Sequence, residues 1–282
     1  MPTTAILTDM MTYFLDTTMD SDELYSPTFH ATGSDESGVE PADFHILNEK
    51  LEIPSLPGLI DRPRLEDLLR RSIDQFPATL ISGRVGTGKT AISAAFARTL
   101  EHAAWYSVES SDIEWHVFAH YFAASVLRAG GSEVDPHSLV PEAGVPSQSV
   151  MANFLINVFA EAETLLSHEP LLIVLDGVHH LFDAGWFGEF FALLLSSLPD
   201  NANLLLLCRS KPPNPLWRLR SKQQLNVIDE KLLALDMAEC EEIAQKNGFP
   251  RTETERLHAE TFGRVSKFLQ KVSSAKPAKS RA

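Results

Sequence analysis

The chain has 282 residues, 44% of them hydrophobic, a net charge of −14 and two cysteines, Cys208 and Cys240. That length fills one large core with small additions. Two cysteines support neither a disulfide framework nor a zinc-ligand spacing, which points to a reducing cytoplasm, and the absence of both a leading positive charge and an apolar run of ~18 residues argues against export or a membrane span.

The charge is uneven along the chain. Residues 1–50 hold ten acids against Lys50 alone, a net −9 that leaves −5 for the remainder. Within them, Ile6, Leu7, Met10, Met11, Phe14 and Leu15 recur at helical spacing and predict a short amphipathic helix over 4–16, suited to docking on a partner or on the chain's own domain. Residues 17–45 read as a disordered acidic linker, so the expected division is an arm over 1–50 and a folded part from Leu51.

Pro63 suits a first helical turn, and Leu65, Leu68 and Leu69 give one apolar face to a helix reaching about Phe76. Ala78 to Ile81 reads as a buried strand. The next eight residues, Gly83-Arg84-Val85-Gly86-Thr87-Gly88-Lys89-Thr90, fit the phosphate-binding P-loop pattern. Glycines let the backbone turn its N–H groups inward as a nest for phosphate oxygens. Candidate nucleotide contacts are therefore Gly83, Val85, Gly86, Thr87, Gly88, Lys89 and Thr90: Lys89 offers a point charge to the β and γ phosphates, and Thr90 a hydroxyl to Mg²⁺. The run from Ala91 to Leu100 continues as a helix whose positive end faces the anion.

Further strands are expected at 104–108, 171–175, 204–208 and 225–228, with helices at 113–127, 150–166 and 186–198 between them. This alternation of helices with wholly apolar strands predicts a P-loop NTPase α/β three-layer sandwich with a parallel sheet, spanning 51–235. After Asp236 the reading is helical: Asp236 with Glu239 and Thr252 with Glu255 fit capping boxes, and Asn247-Gly248 fits a helix end, giving a small helical subdomain over 236–273. Residues 274–282 close the chain as a basic tail.

A triphosphate site needs a second acid for Mg²⁺ at the end of a buried strand beside the P-loop. Asp176, after Leu171 to Leu175, has the Walker B form. The metal pair is then Thr90 and Asp176. Gly177 stands where a water-activating acid usually follows, so introducing Asp or Glu there is expected to raise hydrolysis if that acid is limiting. His179 or His180 could orient water, and Arg209, directly after an apolar strand, falls at the sheet edge where ligands bind. The catalytic candidates are Lys89, Asp176, Arg209 and His179.

The order of these motifs resembles the nucleotide-binding module of STAND-type signalling ATPases, in particular of MalT-like transcription regulators of the LuxR family, over most of residues 54–272. Leu59-Ile60-Asp61-Arg62-Pro63-Arg64-Leu65 resembles their segment before the P-loop, which implies a nucleotide-binding place for Arg62. Ala104-Trp105-Tyr106-Ser107-Val108 resembles their "AWLSL" strand. Val174-Leu175-Asp176-Gly177-Val178-His179 resembles "VLDDYH", with Gly177 replacing the second acid. Cys208-Arg209-Ser210-Lys211-Pro212-Pro213 resembles their "SR…PP" run, which carries a sensor arginine to Arg209. The resemblance implies ATP or ADP with Mg²⁺ as cofactors, a switch that self-associates in the ATP state, and slow or partner-stimulated hydrolysis. The residues end where the family's sensor repeats and DNA-binding domain would begin, so a switch without them is expected, with an unnamed protein partner. Two other readings stand beside it: a nucleotide-bound scaffold that does not hydrolyse, and an AAA-type ATPase subunit working with a DNA or transposase partner.

Overall fold

The computed structural model describes residues 44–56, 60–141, 144, 146–166 and 169–274. The amphipathic helix expected at 4–16 and most of the basic tail lie outside the described residues. Five strands, β1 Ala78–Ser82, β2 His102–Ser107, β3 Leu171–Asp176, β4 Ala202–Cys208 and β5 Leu225–Ile228, form a parallel sheet in the order β2-β3-β4-β1-β5. The two strands that carry the P-loop and Asp176 are therefore not neighbours in the sheet. β4 lies between them.

Helices cover both faces, as uninterrupted apolar strands require. α1 (Pro63–Gln75) and α2 (Lys89–Ala97) pack on one face through Leu65, Leu69, Ile92 and Phe96, against Ile81, Val174, Leu205 and Leu207. The opposite face carries α3 (Trp115–Ala129), α4 (Gln148–Leu166), α5 (Phe187–Ser197) and α6 (Asn214–Ser221). There Trp115, Phe118, Phe122, Phe154, Trp186 and Phe190 interlock with ring centroids 4.9–6.3 Å apart, mostly in tilted and edge-on geometries, with Phe118 and Phe122 stacked. Alternate residues of each strand feed the two cores, so the sheet is dry on both sides. This is the three-layer α/β sandwich expected from the sequence.

Packing begins before Leu51, where the sequence expectation put it. Phe44 stacks on His120 at 4.5 Å, and Lys50 is 7% exposed. Its ammonium donates to Asp112 Oδ1 at 2.7 Å, pairs with Glu109 at 2.9 Å and sits 4.8 Å from the Tyr121 ring. Burial opposes that charge, yet the two carboxylates outweigh it and raise the Lys50 pKa. One charged residue thus secures the entry segment to α3.

Beyond β5, α7 (Glu230–Leu233) leads into α8 (Met237–Lys246), α9 (Arg251–Thr261) and α10 (Val265–Ser274), which share a core of Leu235, Cys240, Ile243, Leu257, Phe268 and Leu269. Asp236 and Glu239 form a reciprocal capping box at the start of α8. Thr252 does not cap α9 as its spacing with Glu255 suggested, because Pro250 already occupies the N-cap and Thr252 falls inside the first turn.

Candidate functional site

Strand register assembles the site. Ser107 lies opposite Asp176, Asp176 opposite Leu207, and Cys208 opposite Ser82, so the carboxyl ends of β1, β3 and β4 form one edge. The P-loop leaves β1 there, its first amide, Gly83 N, donating to Cys208 O at 3.2 Å. Gly86 and Gly88 adopt φ of 77° and 87°, in the left-handed region where a side chain is strained. They bend the backbone over the first turn of α2, whose amides have no acceptor within the helix.

Lys89 is 7% exposed and folds back over the loop. Its ammonium donates to Gly83 O at 2.5 Å and Arg84 O at 2.9 Å. Burial lowers its pKa, and the Arg209 charge adds to that, while Asp176 opposes it. Thr90 Oγ1 donates to Asp176 Oδ2 at 2.8 Å, joining two residues 86 positions apart. Burial raises the Asp176 pKa, against the Thr90 hydrogen bond and the charges of Lys89 and Arg209. A hydroxyl and a carboxylate oxygen at this separation form a hard-oxygen pair of the kind that holds Mg²⁺, next to an ammonium and free amides suited to phosphate.

Arg209 is exposed at the end of β4, close enough to both Lys89 and Asp176 for its charge to shift them. Because β4 runs between β1 and β3, the residue after β4 falls on the edge that carries both the P-loop and the Asp176 carboxylate. The rings of His179 and His180 lie 4.1 Å apart, tilted at 35°, in the 3₁₀ turn Val178–Leu181. Burial holds His179 at a pKa of about 4, helped by the neighbouring His180 and Arg209 charges, and its Nδ1 is buried without a hydrogen-bond partner. The imidazole is therefore neutral at physiological pH, with one ring nitrogen buried and unpartnered. Gly177, at φ 92°, precedes this turn.

Arg62 is 4% exposed, and its guanidinium is engaged by Glu239 (2.9 Å), Leu233 O (2.8 Å) and Ala234 O (3.1 Å). It ties the helical unit to the start of α1, and a Cβ on Gly88 would lie 3.9 Å from its Nη1. Three loop contacts have no signal in the sequence. Ser266 N donates to Gly86 O at 3.0 Å, Arg264 donates to Val85 O, and Glu230 accepts from Arg84 N at 3.1 Å and pairs with its side chain at 2.7 Å. The helical unit thus seats on the outer surface of the P-loop, and a Cβ on Gly86 would sit 2.1 Å from Ser266 Oγ.

Comparison with known proteins gives relatives of this site. HTH-type transcriptional regulator MalT of Vibrio cholerae is 29% identical over 68% of this chain, and that of Serratia proteamaculans 30% identical over 66%. The chain spans only 21% of the length of each. Among solved structures, the Walker-type ATPase paby2304 of Pyrococcus abyssi aligns with a TM-score of 0.49 and 12% identity, covering 76% of this chain and 67% of that one. The family model of the AAA ATPase domain matches residues 61–207, just over half the chain and the whole stretch from Asp61 through the P-loop and Asp176 to the end of β4. An ATP-binding P-loop module of this kind, built on the sheet edge described above, makes the chain a member of the AAA ATPase domain family.

Proposed function

We propose that the chain is an ATP-dependent switch of the STAND signalling type that hydrolyses ATP slowly or on stimulation by a partner. The observation that carries this reading is the Thr90–Asp176 hydrogen bond beside the buried Lys89 ammonium. Thr90 and Asp176 would hold Mg²⁺, which when bound neutralises charge developing on the transferred phosphoryl group. Lys89, with the amides of Val85, Gly86, Thr87, Gly88 and Thr90, binds the phosphates, while the Gly83 amide, already donating to Cys208 O, holds the loop to β4. Arg209 reads the γ-phosphate from between the two strands, and His179, neutral and with one ring nitrogen unpartnered, orients water. Arg62 acts by keeping the helical unit over the loop, since its donors are already engaged by Glu239 and the two carbonyls.

The seating of Arg264 and Ser266 on the P-loop backbone supports a switch, because a change at the phosphates is then felt by the helical unit. Self-association in the ATP state and residence in the cytoplasm belong to this reading. Among the described residues no helix is long and apolar enough to cross a membrane.

A second reading, a nucleotide-held scaffold without turnover, is favoured by Gly177, which supplies no acid where one would activate water. Single-turnover hydrolysis of labelled ATP with Mg²⁺ separates them. Phosphate release by the unmodified chain and not by Lys89→Ala is expected, with the variant losing at least about tenfold in nucleotide affinity through the missing charged donor. Bound but uncleaved ATP would select the scaffold, and unchanged affinity in Lys89→Ala would remove the P-loop assignment altogether.

A further inference from the structure

The chain carries −14, yet between Asp200 and Asp229 it contains no acid and five bases: Arg209, Lys211, Arg218, Arg220 and Lys222. All five are exposed, lying at the end of β4 and on or beside α6. Elsewhere the surface cations Arg84, Arg128, Lys246, Arg251, Arg256 and Lys271 each hold a carboxylate within 3.8 Å, and of the exposed cations without an ion pair among the described residues, Arg70, Arg71, Lys231 and Lys267 are divided over α1, α7 and α10. The five make no ion pair among the described residues. Trp217 stands among them 38% exposed, with the Arg220 guanidinium 5.1 Å from its ring. An uncompensated cationic face with a half-open indole, on a strongly acidic protein, asks for an anionic occupant that also brings apolar side chains.

Residues 1–43 have that chemistry. They contain nine acids and no lysine or arginine, with Phe14, Leu15, Leu24, Tyr25 and Phe29 interspersed among the acids. We propose that this acidic segment docks in cis on the basic face of α6. Its point of attachment fits: Phe44 packs on α3 through His120, and α3 and α6 cover the same face of the sheet. Three helix spacings of about 10 Å separate them, a distance that roughly ten extended residues span, so the acids from Asp35 back to Asp9 are within reach. Tethering decides between this occupant and a free polyanion. The net charge of −14 repels nucleic acid as a whole, whereas a segment on the same chain meets the face at an effective concentration of order millimolar.

The test is zero-length carbodiimide coupling of the full chain, which joins lysine amines to carboxylates only where they touch, read by mass spectrometry on a mixture of ¹⁴N- and ¹⁵N-labelled protein. Amide links from Lys211 or Lys222 to acids of residues 9–43, within single isotopes, are expected. Arg218→Glu combined with Arg220→Glu leaves both lysines as acceptors and touches only exposed side chains, and should lower the yield about tenfold or more, as should raising salt to about 1 M, where the Debye length is about 3 Å. Links unaffected by the double reversal, or absent while other surface lysines couple normally, would overturn the proposal. Links of mixed isotope would assign the face to a second copy instead. A fluorescent single-stranded oligonucleotide bound tightly by the unmodified chain and lost in the double variant would make it a nucleic-acid surface, with the same consequence.

Discussion

A Cβ on Gly177 would lie 2.4 Å from the carbonyl oxygen of Val108, and the residue holds φ at 92°. Val108 cannot retreat freely, because its own amide donates to Asp176 O at 2.7 Å and so belongs to the same stitched edge. The substitution that sequence logic suggests, placing an acid after Asp176, therefore meets backbone and left-handed strain together. Gly177→Glu is expected to destabilise the fold by about 2–4 kcal/mol instead of raising turnover. A lowered urea midpoint with no gain in single-turnover rate would match this; a stable, faster variant would show that the Val108 loop yields.

Helices α8 to α10 owe their position to a few charged groups at the junction with the sheet domain. Glu239 is 9% exposed and holds Arg62, while Arg64 reaches the same carboxylate at 3.2 Å and Asp236 at 3.2 Å. Burial opposes the Glu239 charge, but hydrogen bonds from Arg62, the Asp236 amide and Arg64 outweigh it and leave the pKa below the ordinary 4.5. A carboxylate depressed in the folded state stabilises above its unfolded pKa, and that contribution is lost as pH falls through the lower folded value. The helical unit should consequently loosen below about pH 4.5 before the sheet domain does, seen as faster amide exchange confined to residues 237–274. Removing the partner is more costly: Glu239→Ala leaves a buried guanidinium unpaired and should lose about 3–5 kcal/mol by chemical denaturation. A loss under about 1 kcal/mol would mean that the two carbonyls suffice to hold Arg62.

At the scale of the molecule, the P-loop joins the sheet to the helical unit. β1 carries it, β4 bonds its first glycine, α7 supplies Glu230 to its amide, and α10 places Ser266 and Arg264 on its carbonyls. A ligand bound there links the sheet domain to the helical unit. Mg·ATP at about a hundred times its Kd should add about 2.7 kcal/mol to stability, visible as a raised thermal midpoint in the unmodified chain and not in Lys89→Ala. Ser266→Ala, which shortens the side chain facing Gly86 but keeps the backbone hydrogen bond, should preserve that shift.

The P-loop, the strand ending in Asp176, the strand ending in Cys208 and the capping box at Asp236 could all be read from the chain, because each is a local pattern: glycines where the backbone must bend, apolar runs where a strand is covered on both faces, a side chain three residues from the amide it caps. What only the tertiary structure decided is how these pieces meet. Strand order put β4 between β1 and β3 and so set Arg209 on the edge that carries both loop and carboxylate, and parallel pairing across long crossovers leaves no trace in local spacing. The same holds for Glu230 on Arg84, Ser266 on Gly86 and Arg62 on Glu239, pairs separated by 146 to 180 residues, and for the carbonyl of Val108 that keeps Gly177 a glycine. Local propensity fixes which residues can turn, extend or cap, while long-range packing in a crowded interior determines which of them touch.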